Sequence, residues 1–174
     1  MTQRSIRRDK QAAVATHIES QMSKGRFLTP AERRLAEGVF GQAIDYDSVL
    51  IKQSKWAFFQ PKGVVMAPRG AIHFHPKGER YCDDFCEGDW NDQGLFIHEM
   101  THVWQHQKGV NLVLKRHPFC RYDYVLKPGK AFESYGIEQQ AEIVRHYFLL
   151  KQGFPLAGAH GVEAYRSLLP FGTQ

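Results

Sequence analysis

The run Phe96-Ile97-His98-Glu99-Met100-Thr101-His102-Val103-Trp104-Gln105 constrains this chain more than any other stretch. It contains His-Glu-x-x-His, and on a helix residues four apart lie one turn above each other on the same face. Two neutral imidazoles at that spacing, His98 and His102, can grip one Zn²⁺. Glu99, beside the first of them, stands where a carboxylate can take a proton from an attacking water. The motif thus supplies two metal ligands and a base, and it needs a third ligand from elsewhere.

The flanks agree with the motif. At about 100° per residue, Leu95, His98, His102 and Gln105 fall on one side. Phe96, Ile97, Met100, Val103 and Trp104 form a broad apolar arc opposite. This periodicity predicts a helix with a buried back and a ligand face turned towards a cleft, capped by Asn91 or Asp92 and ended by Gly109. An ordinary amphipathic helix carrying two histidines is the bland alternative.

Spacing restricts the third ligand. The metzincin pattern needs Gly three residues after the second His and another His three further on. Gln105 and Lys108 stand there, so that class is excluded. The other common solution is a glutamate from a downstream helix. Glu133 to Phe148 reads as helical, with Ile137, Ala141, Val144 and Phe148 as an apolar stripe and Glu138, Glu142 and Arg145 at its margin. Carboxylates beside a buried face need partners, which a metal and its surroundings provide. Glu138 is the favoured ligand, with Glu142 orienting a zinc-bound imidazole through its other N–H; the two roles can be exchanged. His106 is an outside candidate, more readily a surface residue. Tyr135, His117, His146 and Arg145 are candidate oxyanion donors.

The rest of the chain frames this centre. Residues 1–28 read as a basic, helical arm with Arg4, Arg7, Arg8 and Lys10 and a helix over residues 10–24 stopped by Gly25. Residues 29–174 read as one domain. Thr29-Pro30-Ala31-Glu32 is a helix start with a capping box, for a helix running to about Phe40. Strands are expected at Ile44 to Ile51, Trp56 to Phe59, Val64 to Met66 and Ala71 to Pro76, the last placing His73 and His75 on one side of an edge strand. Residues 77–94 and 110–132 read as loops. A small sheet followed by two site-bearing helices is an α+β layout.

Composition excludes several function classes. The formal charge is +5 with the positive residues spread along the chain, so no nucleic-acid partner is expected, and a DNA-binding role would rest on net charge alone. No stretch approaches the roughly 20 apolar residues of a membrane span. Ser5-Ile6-Arg7-Arg8 is followed by Asp9, Lys10 and Gln11 rather than an apolar segment, which rejects a secretory signal and predicts a protein made in the cytoplasm. Cys82, Cys86 and Cys120 are an odd count, best read as reduced thiols.

Several segments together resemble a bacterial zincin family. They are Phe74-His75-Pro76, Asp83-Asp84-Phe85, Gly94 to Gln105, and Tyr135 to Val144. The chain is similar, over about residues 29–152, to metallopeptidase effector domains of type VI secretion, found joined to Vgr-type spike proteins and to Rhs proteins. The resemblance implies a zincin-like fold and a gluzincin-like site with His98, His102 and Glu138 on Zn²⁺ and Glu99 catalytic. It also implies a metalloendopeptidase acting on a protein or peptide substrate, delivered into a neighbouring cell. A spike protein and a cognate immunity protein are the implied partners. The alternative is a non-catalytic secretion accessory stabilised by zinc. It would hold the metal with four protein ligands, for example adding His106.

Overall fold

The computed structural model describes residues 25–115 and 120–171. The helix expected over residues 10–24, and His117, lie outside them. The described part is a mixed α+β structure. Arg26–Phe27 (β1), Leu50–Lys52 (β2) and Ala71–His73 (β3) form the sheet. The α-helices are Pro30–Phe40 (α1), Trp90–Gln107 (α2), Leu112–Lys115 (α3), Ile137–Lys151 (α4) and Val162–Arg166 (α5). β1 pairs antiparallel with β2, and β2 pairs parallel with β3.

The start of α1 is as the sequence predicts. Thr29 accepts from Glu32 N at 3.0 Å, Glu32 returns the bond to Thr29 N at 2.9 Å, and Pro30 fills the first helical position. Glu32 does more than cap. Fully buried, it takes a two-pronged ion pair from Arg26 at 2.7 and 2.8 Å and a bond from Phe85 N at 3.0 Å. One carboxylate thereby ties β1, α1 and the loop before α2 together. Removing it strands Arg26, which is only partly exposed. Glu32→Ala is expected to destabilise the fold by about 3–5 kcal/mol, measured by urea unfolding; an unchanged midpoint would remove this role.

The strands are shorter than expected, and each shortfall has a local cause. Tyr46–Ser48 is a 3₁₀ turn, so the strand expected from Ile44 begins only at Leu50. Trp56 to Phe59 does not pair with it and forms part of a turn-rich loop. Val64 to Met66 reduces to one antiparallel bridge between Met66 and His73. β3 stops at His73, with His75 beyond it. β1 was not anticipated, because two residues carry no alternation to read.

The central helix is capped two or three residues earlier than expected. Asp89, not Asn91 or Asp92, is its N-cap, accepting from the backbone N–H of Asn91 and Asp92, while Asp92 closes a capping box at 3.3 Å. Gly109 follows the end with φ +84°, a left-handed conformation open to glycine at little cost. An aromatic stack of Phe74 on Phe85 and Phe85 on Phe96 joins the segment after β3 to the back of α2, with ring centroids 5.2 and 5.5 Å apart. The ligand side of α2 does not face an open cleft. It packs along α4, so that the helix is buried on almost every side from Phe96 to Gln105. Gly94 permits this approach: a Cβ there would lie 3.1 Å from Arg145 Nε.

The downstream helix also starts later than expected. Phe132–Ser134 is a 3₁₀ turn, and α4 begins after Gly136, which places Glu138 in its first turn. The three cysteines are free thiols. Burial and then the Asp84 charge push the Cys86 thiol up to about 12, which disfavours its thiolate.

Candidate metal centre

The i, i+4 spacing on α2 and the position of Glu138 in the first turn of α4 bring three side chains to one point. His98, His102 and Glu138 are 5%, 2% and 1% exposed. His98 Nε2 and His102 Nε2 lie 3.2 Å apart, and Glu138 Oε2 lies 3.3 and 3.1 Å from them. A tetrahedral ion with bonds of about 2.0–2.1 Å has ligand atoms about 3.3 Å apart. The donor triangle therefore fits a zinc-sized dication, and these three residues form the one such group among the described residues.

The hydrogen bonds behind the imidazoles fix which nitrogen faces inwards. Gln105 Nε2 donates to Ile137 O at 3.0 Å and to Gln140 Oε1 at 2.8 Å, so its amide orientation is set by two acceptors. Its Oε1 then faces His102 Nδ1 at 2.8 Å, and that nitrogen must carry the hydrogen. His102 Nε2 is left with a lone pair pointing at the triangle. His98 Nδ1 lies 2.9 Å from Glu142 Oε1, which favours the same tautomer. Two lone pairs 3.2 Å apart, next to a buried carboxylate, repel unless a cation or a proton lies between them. In the metal-free chain the proton wins at His98. Burial opposes its charge, but contacts with Glu138 and Glu142 and the Glu99 charge reverse this and raise its pKa to about 9. The same contact with His98 outweighs burial at Glu142 and holds its carboxyl below its ordinary range.

The expected residues can now be placed. Glu138, not Glu142, shares the triangle with the histidines. Glu142 sits behind His98, where carboxylates orient metal-bound imidazoles. Replacing it should therefore weaken rather than abolish metal binding. Glu142→Ala is expected to reduce zinc affinity by about 10–100-fold, read by competition with a chromophoric chelator; unchanged affinity would make Glu142 a bystander. Glu99 is 3% exposed, and its Oε2 has no hydrogen-bond partner. A buried carboxylate oxygen left this way is costly, and a catalytic role or a bound ion accounts for it.

His106, His73 and His75 are not part of the group. His106 lies beside Gly70, and His73 Nδ1 sits 3.2 Å from Ser54 O. The candidate oxyanion donors are also sorted by what they touch. The Tyr135 hydroxyl is held by Lys127 N and Val125 O at 3.1 and 3.3 Å. Arg145 Nη1 and His146 Nε2 approach Glu142 at 3.5 and 3.6 Å, behind the ligands. His146 is further engaged by the Tyr124 hydroxyl. Burial, with the Arg145 and His98 charges, holds its imidazole below the ordinary range despite the opposing pull of Glu142. Sequence reasoning missed Tyr122, whose ring stacks on His98 at 6.2 Å and 18° and is 47% exposed. Its only signal was an aromatic cluster in a loop. Residues 122–126 also wall a cleft of about 520 Å³ that reaches Glu142 and His146.

No family model matches the chain. It is 47% identical over 146 residues to the type VI secretion system spike protein VgrG2b of Pseudomonas aeruginosa. That match covers 78% of this chain but 14% of the spike protein's length. It is also similar to the solved effector domain of Pseudomonas aeruginosa VgrG2b, with a TM-score of 0.69 and 40% identity over 84% of this chain and 83% of that one. The chain thus belongs to the family of the VgrG2b effector domain, an effector domain associated with type VI secretion spike proteins.

Proposed function

We propose that the chain is a zinc metalloendopeptidase of the zincin type, gluzincin-like in its ligand set, and that this activity is its effector function. The observation that carries the reading is the buried triangle of His98, His102 and Glu138. Its donor separations match a tetrahedral zinc site, and Glu99 follows the first ligand. The small sheet, motif helix and glutamate-bearing helix agree with a zincin-type arrangement.

When bound, zinc supplies a Lewis acid for the scissile carbonyl and acidifies water to a pKa of about 7. His98 and His102 would hold it through Nε2, each oriented through Nδ1, by Glu142 and Gln105 respectively. Glu138 would complete the ligand set and offset part of its charge. Glu99 takes a proton from the attacking water and returns it to the departing nitrogen. Burial of all four groups excludes bulk water and strengthens their mutual electrostatics.

Relation to a spike protein supports a spike partner and delivery into a target cell; a cognate immunity protein belongs to the same proposal. No helix among the described residues is long and apolar enough to cross a membrane. The test is hydrolysis of an unfolded protein by the purified chain. Activity is expected to vanish on chelation and to return with about one equivalent of Zn²⁺. Hydrolysis that survives verified metal removal would overturn the proposal.

A further inference from the structure

Between Asp47 and Glu79 the chain contains no acidic residue, yet it carries Lys52, Lys55, Lys62, Arg69 and Lys77. This run holds the loop joining β2 to β3. At its tip, Phe58 and Phe59 are 88% and 62% exposed. Isolated exposed hydrophobics are ordinary, but two adjacent rings turned into solvent in one cationic segment are not.

The tip is held out by design of the loop rather than by looseness. Gln60, only 3% exposed, accepts from Trp56 N at 2.9 Å and donates to Val64 O at 2.8 Å and His73 O at 3.0 Å. A buried amide thus anchors both stems of the loop to β3. Lys55 Nζ caps Phe58 O at 2.9 Å. With the stems pinned, the rings stay in solvent and contact each other edge to face at 5.2 Å. Lys52, Lys55 and Lys62 lie in the same loop or at its edge in sequence. The His75 imidazole after β3 is lowered by desolvation and then by the charges of Lys55, Lys62 and Lys77.

We propose that this loop docks on an anionic lipid bilayer, with Phe58 and Phe59 inserted at the interface and Lys55, Lys62 and Lys77 against the headgroups. Charge complementarity selects this occupant. A projecting segment with cations and no acid in its sequence matches a surface of one sign, whereas protein interfaces are polar at their rim. Residues 1–24 are themselves basic and would be repelled from it. A nucleic acid shares the charge, but a projecting tip with an edge-to-face ring pair offers neither a groove for a backbone nor a flat stacking platform. Aromatic rings at the headgroup level and nearby lysines act together, because apolar insertion and Coulomb attraction add. The inference is independent of the metal centre.

The test is cosedimentation of the full chain with vesicles of phosphatidylcholine alone or mixed with phosphatidylglycerol. Binding is expected to the mixed vesicles and to weaken with salt. Phe58→Ser with Phe59→Ser should weaken it by about tenfold or more, and each of Lys55→Gln and Lys62→Gln by about fivefold. All these positions are loop residues, and an unchanged melting temperature checks that folding is intact. No binding to mixed vesicles would overturn the proposal. So would equal binding by the double Phe variant, which would assign attraction to the basic arm. Binding to single-stranded DNA with the same variant dependence, and not to vesicles, would replace it with a nucleic-acid surface.

Discussion

Glu99→Gln is expected to keep its zinc and lose about a hundredfold to ten-thousandfold in kcat/KM for peptide hydrolysis. The substitution preserves the volume of a side chain that is 3% exposed, so it avoids the cavity an alanine would leave. Glu99 is outside the triangle of ligand atoms, which leaves the metal's protein ligands intact. What disappears is a carboxylate oxygen able to accept the proton of the attacking water. The amide cannot take that proton at neutral pH, and the chemical step slows without a matching loss of metal. Measuring zinc content and hydrolysis on the same sample separates the two effects. A zinc-loaded Glu99→Gln chain that cleaves at the wild-type rate would remove Glu99 from the mechanism.

Glu138→Ala should have the other large effect, and its signature is different. Glu138 supplies the one carboxylate of the triangle and is 1% exposed. Removing it leaves two imidazoles, which can still bind a soft dication but without the charge partner or the third corner. Zinc affinity is expected to fall by more than the roughly 100-fold that loss of an orienting group can cost, and hydrolysis to fall to background. Stability provides a second readout. At zinc a hundredfold above its Kd, the wild-type chain gains about 2.7 kcal/mol, or about 5–10 °C in Tm for a domain of this size. That zinc-dependent increment should be missing from Glu138→Ala. An alanine variant that retains both the increment and the activity would place the third ligand elsewhere.

The centre was legible in the sequence because its parts are local. His98, Glu99 and His102 occupy one turn of a helix whose apolar arc is visible at period 3.6, and Glu138 stands beside a second such stripe. Helical geometry then does the positioning. Glu142 behind His98 was legible on the same stripe, but what holds His102 was not. Gln105 reaches Gln140 across 35 positions, and no local pattern announces an amide pair between helices. The same holds for Tyr122, which meets His98 only after the chain has folded back. The ligand face was expected to line a cleft for a related reason: the periodicity of one helix does not show that α4 covers its polar side.

The sheet was the least readable part. Its strands are two or three residues long, too short for alternation to separate them from turns. Long-range bonds decide them instead: Glu32 fixes β1 to α1, and Gln60 ties the β2–β3 loop to β3. The capping box at Thr29 was readable, since it needs only four consecutive residues, but the wider role of Glu32 in joining three segments was not.

The central claim is that His98, His102 and Glu138 bind one zinc ion. The most direct measurement is the zinc content per folded chain, by elemental analysis of wild-type protein purified without added metal and then dialysed against a limiting chelator. About one zinc per chain is expected in the wild type, and background in Glu138→Ala. A wild-type chain that stays metal-free even after saturation with zinc, while remaining folded, would contradict the claim and leave the buried triangle without its ion.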